Sequence, residues 1–325
     1  MSERKIRMKY LITGGAGFVG SSMADRLLGE GHEVVVYDNF STGVERFLSK
    51  AKQNPRFQLI RGDLMDLPAL TRAMEGCDFV FHFAANADIR DNLSHPEFVF
   101  EQNARGTFHV LEAMRAAGVS SIAFSSTGSV YGEPEVFPTP EDAPFPIQTS
   151  LYAASKTYGE GMISAYCEGY GFTGCIFRFV SLLGERYPHG HVFDFVRRLK
   201  INPESLEILG DGHQRKSYLY IGDCLNAIQT VIRTQRSGVS IYNLGTDEYC
   251  EVKDSAAWIA ERMGLHPEFT FTGGRRGWVG DSPFIYLDTA KIRSLGWKPE
   301  LTIRQAVERT VDYLMENPWL LEVRK

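Results

Sequence analysis

The chain has 325 residues, 43% of them hydrophobic, which is enough to bury one large core or two modest ones and gives no sign of disorder. A formal net charge of -5 and a pI near 5.9 argue against a nucleic-acid partner or an anionic membrane surface. Five scattered cysteines without a C-x-x-C spacing predict free thiols in a reducing cytoplasm, and they indicate neither a disulfide framework nor a metal site.

The first predicted element is a strand at residues 9–13, which leads from a charged N-terminal segment into the turn GGAGFVG and a helix. The segment holds no apolar stretch long enough for a signal peptide or a membrane span, so we expect a cytoplasmic protein. The turn matches G-x-G-x-x-G at Gly15, Gly17 and Gly20, and G-x-x-G-x-x-G when Gly14 replaces Gly15. Such a turn lets backbone N–H groups and the positive end of a helix approach a pyrophosphate, although a plain turn is an equal alternative for the glycines alone.

A second apolar strand is predicted at residues 33–37 and ends on Asp38. A carboxylate about 20 residues past a glycine turn accepts hydrogen bonds from the adenosine ribose hydroxyls and repels the additional phosphate of NADP. The spacing, the strand on each side and the N-terminal position together predict an NAD site.

Strand-like and helix-like segments continue to alternate along the chain, with strands at residues 57–61, 79–83 and 122–124 and helices near residues 68–74 and 97–118. This alternation predicts an α/β fold with a Rossmann-type, doubly wound parallel sheet, whose ligands lie at the carboxyl ends of the strands. Polar or small residues follow three of these strands, and the hydroxyl groups among them can bind a substrate or satisfy the loop backbone. They are Asp63, Ala84, Ala85, Ser125, Ser126 and Thr127.

A Pro-rich loop at residues 133–148 leads to a predicted helix on which Tyr152 and Lys156 lie one turn apart. Residues four apart on a helix share a face, so we expect the Lys156 ammonium to lower the pKa of the Tyr152 phenol from about 10 toward neutral pH. A Tyr-x-x-x-Lys spacing is common by chance, and its meaning therefore depends on the neighbouring motifs.

After a strand at residues 175–180 the pattern changes to a mixture of short strands and helices. We expect an NAD-binding domain at residues 1–180 and a smaller, mixed α/β domain that binds substrate at residues 181–325, part of which returns to the first domain. The predicted elements are strands at residues 206–209 and 217–221 and helices at residues 223–234, 252–263, 289–295 and 303–315.

Several motifs in order resemble the extended short-chain dehydrogenase/reductase family, and within it the NAD-dependent nucleotide-sugar epimerases similar to UDP-glucose and UDP-glucuronate 4-epimerases. The resemblance covers nearly the whole chain. The motifs are TGGAGFVGS at residues 13–21, Asp38-Asn39, Gly62-Asp63-Leu64, HFAA at residues 82–85, Asn103 with Gly106-Thr107, SSTGSVYG at residues 125–132, YAASK at residues 152–156 and GDGHQRKSYLYIGD at residues 210–223.

The resemblance implies a catalytic set of three residues. Tyr152 would be the general base and acid, Lys156 would lower its pKa and hold the nicotinamide ribose, and Thr127 would hydrogen-bond the sugar hydroxyl that is oxidised. Tightly bound NAD would accept hydride from a ring carbon, commonly C4, and return it to the other face of the keto sugar. Besides Tyr152 and Lys156, the implied cofactor contacts are Gly14, Gly17, Phe18, Val19, Gly20, Asp38, Asn39, Asp63, Leu64, Ala84, Ala85 and Asn103.

The implied substrate contacts include positions where this chain departs from the family pattern. Ser181 stands where the family often has asparagine, and the arginine of the GDGxQxR pattern falls on Lys216, which cannot clamp a phosphate in bidentate fashion. Basic side chains recur at the predicted loops of the second half of the chain, Arg275 among them. Such side chains can bind phosphate or lie solvated at the surface. The implied contacts are Arg90, Thr127, Ser181, Arg186, Arg215, Lys216, Arg276 and Asp281.

The residues after Thr127 bear on the reaction. Sugar 4,6-dehydratases of the family carry Asp-Glu there and related decarboxylases carry glutamate, whereas this chain has Gly128-Ser129. The resemblance therefore favours epimerisation at C4 of a UDP-hexose or UDP-hexuronic acid, with a dehydratase, a reductase or a catalytically silent NAD-binding regulator as alternatives. A uronic acid would suit Arg90, Arg186 and Ser181, and the choice between it and a neutral sugar stays open.

The resemblance also implies a homodimer, packed through the helix that follows Glu97 and through the helix of Tyr152.

Overall fold

The computed structural model describes residues 7–87, 94–144, 147–274 and 284–323, and the chain forms two compact units. Strands and helices of the first unit come from three stretches of the chain, and those of the second from three others. The domain boundary expected at residue 180 stays a prediction. Unit 1 is Met1–Ser126, Leu151–Phe177 and Ile232–Ile241, and unit 2 is Thr127–Ser150, Arg178–Val231 and Tyr242–Lys325.

The strands fall into one large sheet and three small ones. The large sheet has the order β11-β6-β5-β4-β1-β2-β3, and its pairs β3–β2, β2–β1, β1–β4 and β4–β5 are parallel. The predicted α/β fold with a Rossmann-type sheet is confirmed. The strands are β1 Lys9–Thr13, β2 Glu33–Asp38, β3 Phe57–Arg61, β4 Phe79–His82, β5 Ser121–Thr127, β6 Thr173–Phe179, β7 Ser181–Leu183, β8 Ser205–Ile208, β9 Arg215–Lys216, β10 Tyr218–Tyr220, β11 Gly238–Leu244, β12 Cys250–Glu251, β13 Glu268–Phe271 and β14 Phe284–Ile285.

Both units contain helices as well as strands. Short 3-10 segments lie at Glu45–Leu48, Ala51–Gln53 and Gly128–Tyr131. The helices are α1 Phe18–Gly29, α2 Leu67–Met74, α3 Pro96–Val99, α4 Gly106–Ala117, α5 Leu151–Tyr170, α6 His191–Ile201, α7 Ile221–Thr234, α8 Val252–Arg262, α9 Ala290–Arg293, α10 Ile303–Glu316 and α11 Leu320–Val323.

Burial explains why the central strands of unit 1 are continuous apolar runs. In β2, Val34, Val35 and Val36 are all buried, as strands with helices on both faces of a parallel sheet require. The core on one side joins these strands to buried side chains of α2, α4 and α5, such as Leu70 and Ile163. This packing brings the carboxyl ends of β1, β2, β4 and β5 to one edge of the sheet.

The helix predicted over residues 97–118 is interrupted. A six-residue π-helix, Phe100–Arg105, lies between α3 and α4, and it carries Asn103. The helix ends as expected at Gly118, whose φ of 73° permits the left-handed C-cap. Wide turns of this kind often occur at functional sites because they redirect one side chain without ending the helix.

Helix α6 and strand β11 are the longest of the described elements that were not predicted from the sequence. Helix α6 covers residues that the sequence left without an element, although its apolar residues recur at helical spacing and are buried, Val192 and Val196 among them. Strand β11 joins the edge of the large sheet next to β6. In unit 2, β10 pairs with β7, β13 with β8, and β9 lies between β12 and β14.

Within the described ranges, no helix is both long and apolar enough to cross a membrane. The same residues contain no group of three or more His, Cys, Asp or Glu side chains that could hold a metal ion. All five cysteines are buried as free thiols.

Candidate active site

The glycine turn between β1 and α1 is shaped for close approach of a ligand. Gly14 has a φ of 67°, and a Cβ atom there would lie 2.6 Å from the backbone nitrogen of Ala84. A Cβ atom on Gly20 would lie 2.3 Å from the carbonyl oxygen of Gly14. The N-cap of α1 is Gly17, which has no side-chain oxygen to accept from the first N–H groups of the helix. The turn and the helix end therefore fit the diphosphate of a dinucleotide.

The carboxylate of Asp38 is fixed beside this turn. Its Oδ2 accepts a hydrogen bond from the backbone N–H of Ala16 at 2.8 Å, and its Oδ1 accepts from Phe40 N–H at 2.8 Å. Burial raises the pKa of Asp38, while these two N–H groups and Arg61 act in the opposite direction. Each carboxylate oxygen keeps a lone pair for the ribose hydroxyls of the adenosine, so the predicted acid fits its role.

Asn39 and Asp63, predicted from separate motifs, come together in the structure. Asn39 Nδ2 donates to Asp63 Oδ2 at 2.9 Å, and Met65 N–H donates to Asp63 Oδ1 at 2.9 Å. The phenol of Tyr37 donates to the Asp63 carbonyl at 3.0 Å, and Leu64 is buried beside it. These bonds fix the ends of β2 and β3 relative to each other.

A buried histidine that sequence reasoning passed over links three predicted segments. Thr107 Oγ1 donates to the Asn103 carbonyl at 2.7 Å, so the 3.0 Å contact between Thr107 and His82 requires a hydrogen on His82 Nε2. His82 Nδ1 then accepts from Thr13 Oγ1 at 2.8 Å, and Thr13 in turn accepts from Ala84 N–H at 3.4 Å. The HFAA motif contained this signal, because a histidine inside an apolar strand needs polar partners.

The pH dependence of stability should report this neutral histidine. Burial lowers the pKa of His82 to about 3, so below pH of about 6.5 the unfolded chain binds a proton that the folded chain excludes. We expect its contribution to the free energy of unfolding to fall by up to about 1.4 kcal/mol per pH unit as pH decreases from about 6.5 toward 3. Denaturant unfolding of His82→Gln at several pH values should give a free energy of unfolding that depends on pH less steeply than in the wild type, by the contribution of one bound proton. An unchanged pH dependence would contradict the assignment of a neutral His82.

The side-chain amide of Asn103 is hydrogen-bonded to other residues of the protein. Its Oδ1 accepts from Asn86 N–H at 2.7 Å, and its Nδ2 donates to the Asn86 carbonyl at 2.9 Å and to Ser155 Oγ at 3.0 Å. Ser155 Oγ donates to the Tyr152 carbonyl at 2.7 Å. Both amide hydrogens are thereby engaged, which leaves only a lone pair on Oδ1 for a cofactor. The π-helix thus aims Asn103 at the loop after β4 and at the first turn of α5.

Tyr152 and Lys156 lie on one face of α5. Lys156 Nζ is 5.9 Å from the centroid of the Tyr152 ring and 4.6 Å from that of the Phe124 ring, and it donates to the Ser125 carbonyl at 2.7 Å. Lys156 is only 2% exposed, and Tyr152 is half-buried. The lysine therefore has a fixed position against the end of β5.

The predicted lowering of the Tyr152 pKa is corrected by the structure. Burial raises the pKa of Tyr152 to about 12. Burial also lowers the pKa of Lys156 to about 7, while the carboxylate of Glu160 favours its charged form. The helical spacing indicated an attraction between the two groups, but it could not indicate the desolvation that raises the pKa of Tyr152.

Thr127 ends β5 and begins unit 2. Its Oγ1 accepts from Ser129 N–H at 3.1 Å and donates to Ser129 Oγ at 3.2 Å. A Cβ atom on Gly128 would lie 2.9 Å from Ile285 Cγ2 and 3.2 Å from the Phe179 carbonyl oxygen. Residues of neighbouring strands therefore occupy the space that a side chain at position 128 would need. The side-chain hydroxyl that hydrogen-bonds Thr127 is that of Ser129.

The predicted substrate contacts that lie among the described residues all belong to unit 2. Ser181 is exposed on β7, and Arg186 adopts a φ of 69°, a conformation that is strained for a residue with a side chain. Arg215 lies with its guanidinium carbon 4.0 Å from the centroid of the Phe284 ring, so it stacks on an aromatic face, and Lys216 follows it in β9. Arg90, Arg276 and Asp281 lie outside the described residues.

Comparison with known proteins gives matches over most of the chain. The sequence profile described as the NAD dependent epimerase/dehydratase family matches residues 10–245. A UDP-glucose 4-epimerase from Mycolicibacterium smegmatis is 31% identical over 315 residues, which are 94% of this chain and 98% of that protein. The solved UDP-glucose 4-epimerase from Thermus thermophilus, a complex with NAD, is 34% identical with a TM-score of 0.84, covering 95% of this chain and 99% of that one.

A protein named for a different reaction is equally similar in fold. A solved double mutant of the dTDP-glucose 4,6-dehydratase from Streptomyces venezuelae, with NAD bound, is 27% identical with a TM-score of 0.89. The match covers 98% of this chain and 100% of that one. Overall similarity therefore leaves the choice of reaction to individual side chains.

Proposed function

Since the chain belongs to the NAD-dependent epimerase/dehydratase family, we propose that it interconverts a UDP-hexose or UDP-hexuronic acid and its C4 epimer. The resemblance to the extended short-chain dehydrogenase/reductases is confirmed at the level of the family, and NAD is confirmed as the cofactor on which the family depends. The residues around the glycine turn fit that cofactor, through the helix end at Gly17 and the carboxylate of Asp38.

The observation that carries the choice of reaction is the crowding at Gly128. Eliminating water from the sugar would need an additional proton donor and acceptor beside the reacting centre. At position 128 a carboxylate would require its neighbours to shift, because even a Cβ atom would lie 2.9 Å from Ile285 Cγ2. Ser129 offers a hydroxyl, which is a poor acid and a poor base at neutral pH. These residues support proton and hydride exchange at one carbon without elimination.

The side chains support the two halves of an epimerisation. Bound NAD supplies an acceptor and later a donor of hydride. Tyr152 would take the proton of the C4 hydroxyl and return it to the same oxygen after the keto sugar has turned over, so protons balance over one cycle. Thr127 would orient that hydroxyl, and the Lys156 ammonium would stabilise the phenolate, which burial alone disfavours.

The identity of the substrate rests on the relatives and on two side chains. The UDP-glucose 4-epimerases to which the chain is similar support uridine diphosphate as the nucleotide part. Arg186 and Ser181 are the described residues whose chemistry suits a uronate. A neutral hexose needs neither of them, so replacement of Arg186 by Gln separates the two sugars by their KM values.

The test is to offer the purified, NAD-loaded protein a panel of UDP-, dTDP- and GDP-sugars, with uronic acids included, and to identify products by NMR. We expect a C4 epimer of unchanged mass. A product that has lost the mass of one water would replace the proposal by the 4,6-dehydratase, the reaction for which a protein of equally similar fold is named. Tight NAD binding with no conversion of any sugar would indicate the catalytically silent regulator.

The expected homodimer stays a proposal, and an exposed aromatic surface supports it. Phe98, Phe100, Phe108 and Tyr158 are exposed on the helical stretch from α3 to α4 and on α5. Carboxylates and a guanidinium lie around these rings, so the surface can pair with a second copy of itself. The groove there is lined by Glu97, Phe100, Glu101, Arg105, Phe108 and Tyr158.

Charge placed on this surface should separate the two copies. Phe100 is 61% exposed, so Phe100→Glu should leave the fold intact but give a monomer in sedimentation equilibrium, because the partner surface would have to bury an unpaired carboxylate. Ile201, which is 80% exposed on α6, offers the matched control, and Ile201→Glu should stay dimeric. A dimer that survives Phe100→Glu would place the interface elsewhere.

A further inference from the structure

We propose that Glu160 is a positioning residue for Lys156, a buried carboxylate that keeps the ammonium charged and holds α5 against the end of β5. The catalytic meaning of this role rests on the proposed function, because it assumes that Lys156 stabilises the Tyr152 phenolate. Both side chains belong to unit 1, and the proposed interaction involves no substrate.

The geometry joins two turns of helix to two consecutive residues of strand. Glu160 follows Lys156 by four residues on α5, so the two side chains share one face, and they are 6% and 2% exposed. Lys156 Nζ donates to the Ser125 carbonyl, and Ser126 Oγ donates to Glu160 Oε1. The residue after Ser126 is Thr127, so this pair of bonds sets the register between α5 and the strand that carries the proposed catalytic hydroxyl.

The charge of the Glu160 carboxylate affects the protonation of Lys156, in addition to any role in packing. An ammonium buried in a weakly polar environment tends to lose its proton, and burial indeed lowers the pKa of Lys156 to about 7. Glu160 acts in the opposite direction. Among the residues that the structure describes, the charged or titratable groups that face Lys156 are Glu160 on its own helix, Tyr152 one turn earlier and His82 on β4. His82 is neutral at working pH because its pKa is about 3.

A packing role alone makes a different prediction. If Glu160 served only to hold α5 through Ser126, its replacement by the isosteric Gln, whose amide oxygen can still accept from Ser126 Oγ, would change stability little and leave the protonation of Lys156 unchanged. If its charge matters, the same replacement lowers the pKa of Lys156, and the ammonium is lost at pH values where the wild type retains it. Turnover would then fall at neutral and higher pH through kcat, with KM little changed.

The experiment is a pH titration of the full-length, NAD-loaded protein labelled with ¹³C at the lysine ε-carbons. We expect one lysine signal to titrate near neutral pH and to be absent from Lys156→Arg. In Glu160→Gln its midpoint should move down by about one pH unit or more. Glu168 is exposed two turns later on α5, and Glu168→Gln is the matched control that should leave the midpoint in place. A midpoint that is unchanged or higher in Glu160→Gln overturns the proposal.

A second variant tests the proposal if Glu160→Gln does not fold, and the titration does not depend on the identity of the sugar. Should Glu160→Gln fail to fold, Ser126→Ala keeps the carboxylate and removes its hydrogen bond, and it should move the midpoint in the same direction by a smaller amount. No movement in that folded variant would equally overturn the proposal. The titration needs no sugar, so a negative result leaves the proposed epimerisation standing, and failure of every sugar in the panel leaves the titration interpretable.

Discussion

Tyr152→Phe is expected to lower turnover roughly 10²–10⁴-fold while NAD binding stays close to that of the wild type. The reason is that the substitution removes only the phenolic oxygen. The ring and the helix remain, and so does the bond from Ser155 Oγ to the backbone carbonyl of residue 152. Single-turnover kinetics with the sugar identified by the panel, together with calorimetry for NAD, measure the two quantities separately.

A second tyrosine on the same helix provides the control. Tyr158 is exposed on α5, and Tyr158→Phe should leave turnover unchanged. Near-normal turnover of Tyr152→Phe would show that another group transfers the proton. Loss of NAD binding in that variant would instead assign the tyrosine to the cofactor site alone.

Gly14→Ala is the second substitution for which we expect a large effect. Alanine disfavours the φ of 67°, and its methyl group would lie 2.6 Å from the backbone nitrogen of Ala84, so two strand ends must separate to admit it. We expect the free energy of unfolding to fall by about 1–3 kcal/mol and NAD affinity to fall about 100-fold, because the diphosphate turn is displaced. Thermal unfolding and calorimetry of NAD binding give the two values.

The far end of the same helix offers a matched control. Gly29 closes α1, and a Cβ atom there would have no heavy atom within 4 Å. Gly29→Ala should keep NAD affinity and change stability by no more than about 1 kcal/mol, in the stabilising direction, because alanine favours the helix. Equal loss of NAD affinity in both variants would trace the effect to α1 as a whole rather than to the turn.

The electrostatic state of the proposed proton relay has a consequence for these experiments. Burial raises the pKa of Tyr152 to about 12, and it lowers that of Lys156 to about 7, so burial opposes the charged form of both groups. The phenolate is stabilised only where Lys156 keeps its proton. Rates should therefore be compared over a range of pH, since Glu160→Gln shifts the range in which the lysine is charged.

Local patterns were sufficient for much of the fold and for the cofactor site. A run of three valines in β2 indicates burial on both faces, and the spacing of the glycines after β1 predicts a turn. Asp38 follows from its distance along the chain, and the structure places it beside that turn. The family was also recognisable from eight motifs in order, since the residues of each motif lie close together in the chain.

Other features depended on contacts between distant parts of the chain. The amide of Asn103 is occupied by Asn86 and Ser155, and the neutral state of His82 follows from Thr13 and Thr107. No spacing in the sequence records such partners. Strand β11 was missed for a related reason, since its place at the edge of the sheet is decided by its pairing with β6.

By itself the sequence determined the α/β fold, the family and its dependence on NAD, because these follow from periodicity and from motifs whose residues lie close together in the chain. The tertiary structure alone decided three further properties. Ile285 fills the space beside Gly128, Ser126 holds Glu160 near Lys156, and burial reverses the expected direction of the Tyr152 pKa. Each depends on which atoms surround a group after folding, and desolvation and steric contact act only once those atoms have come together.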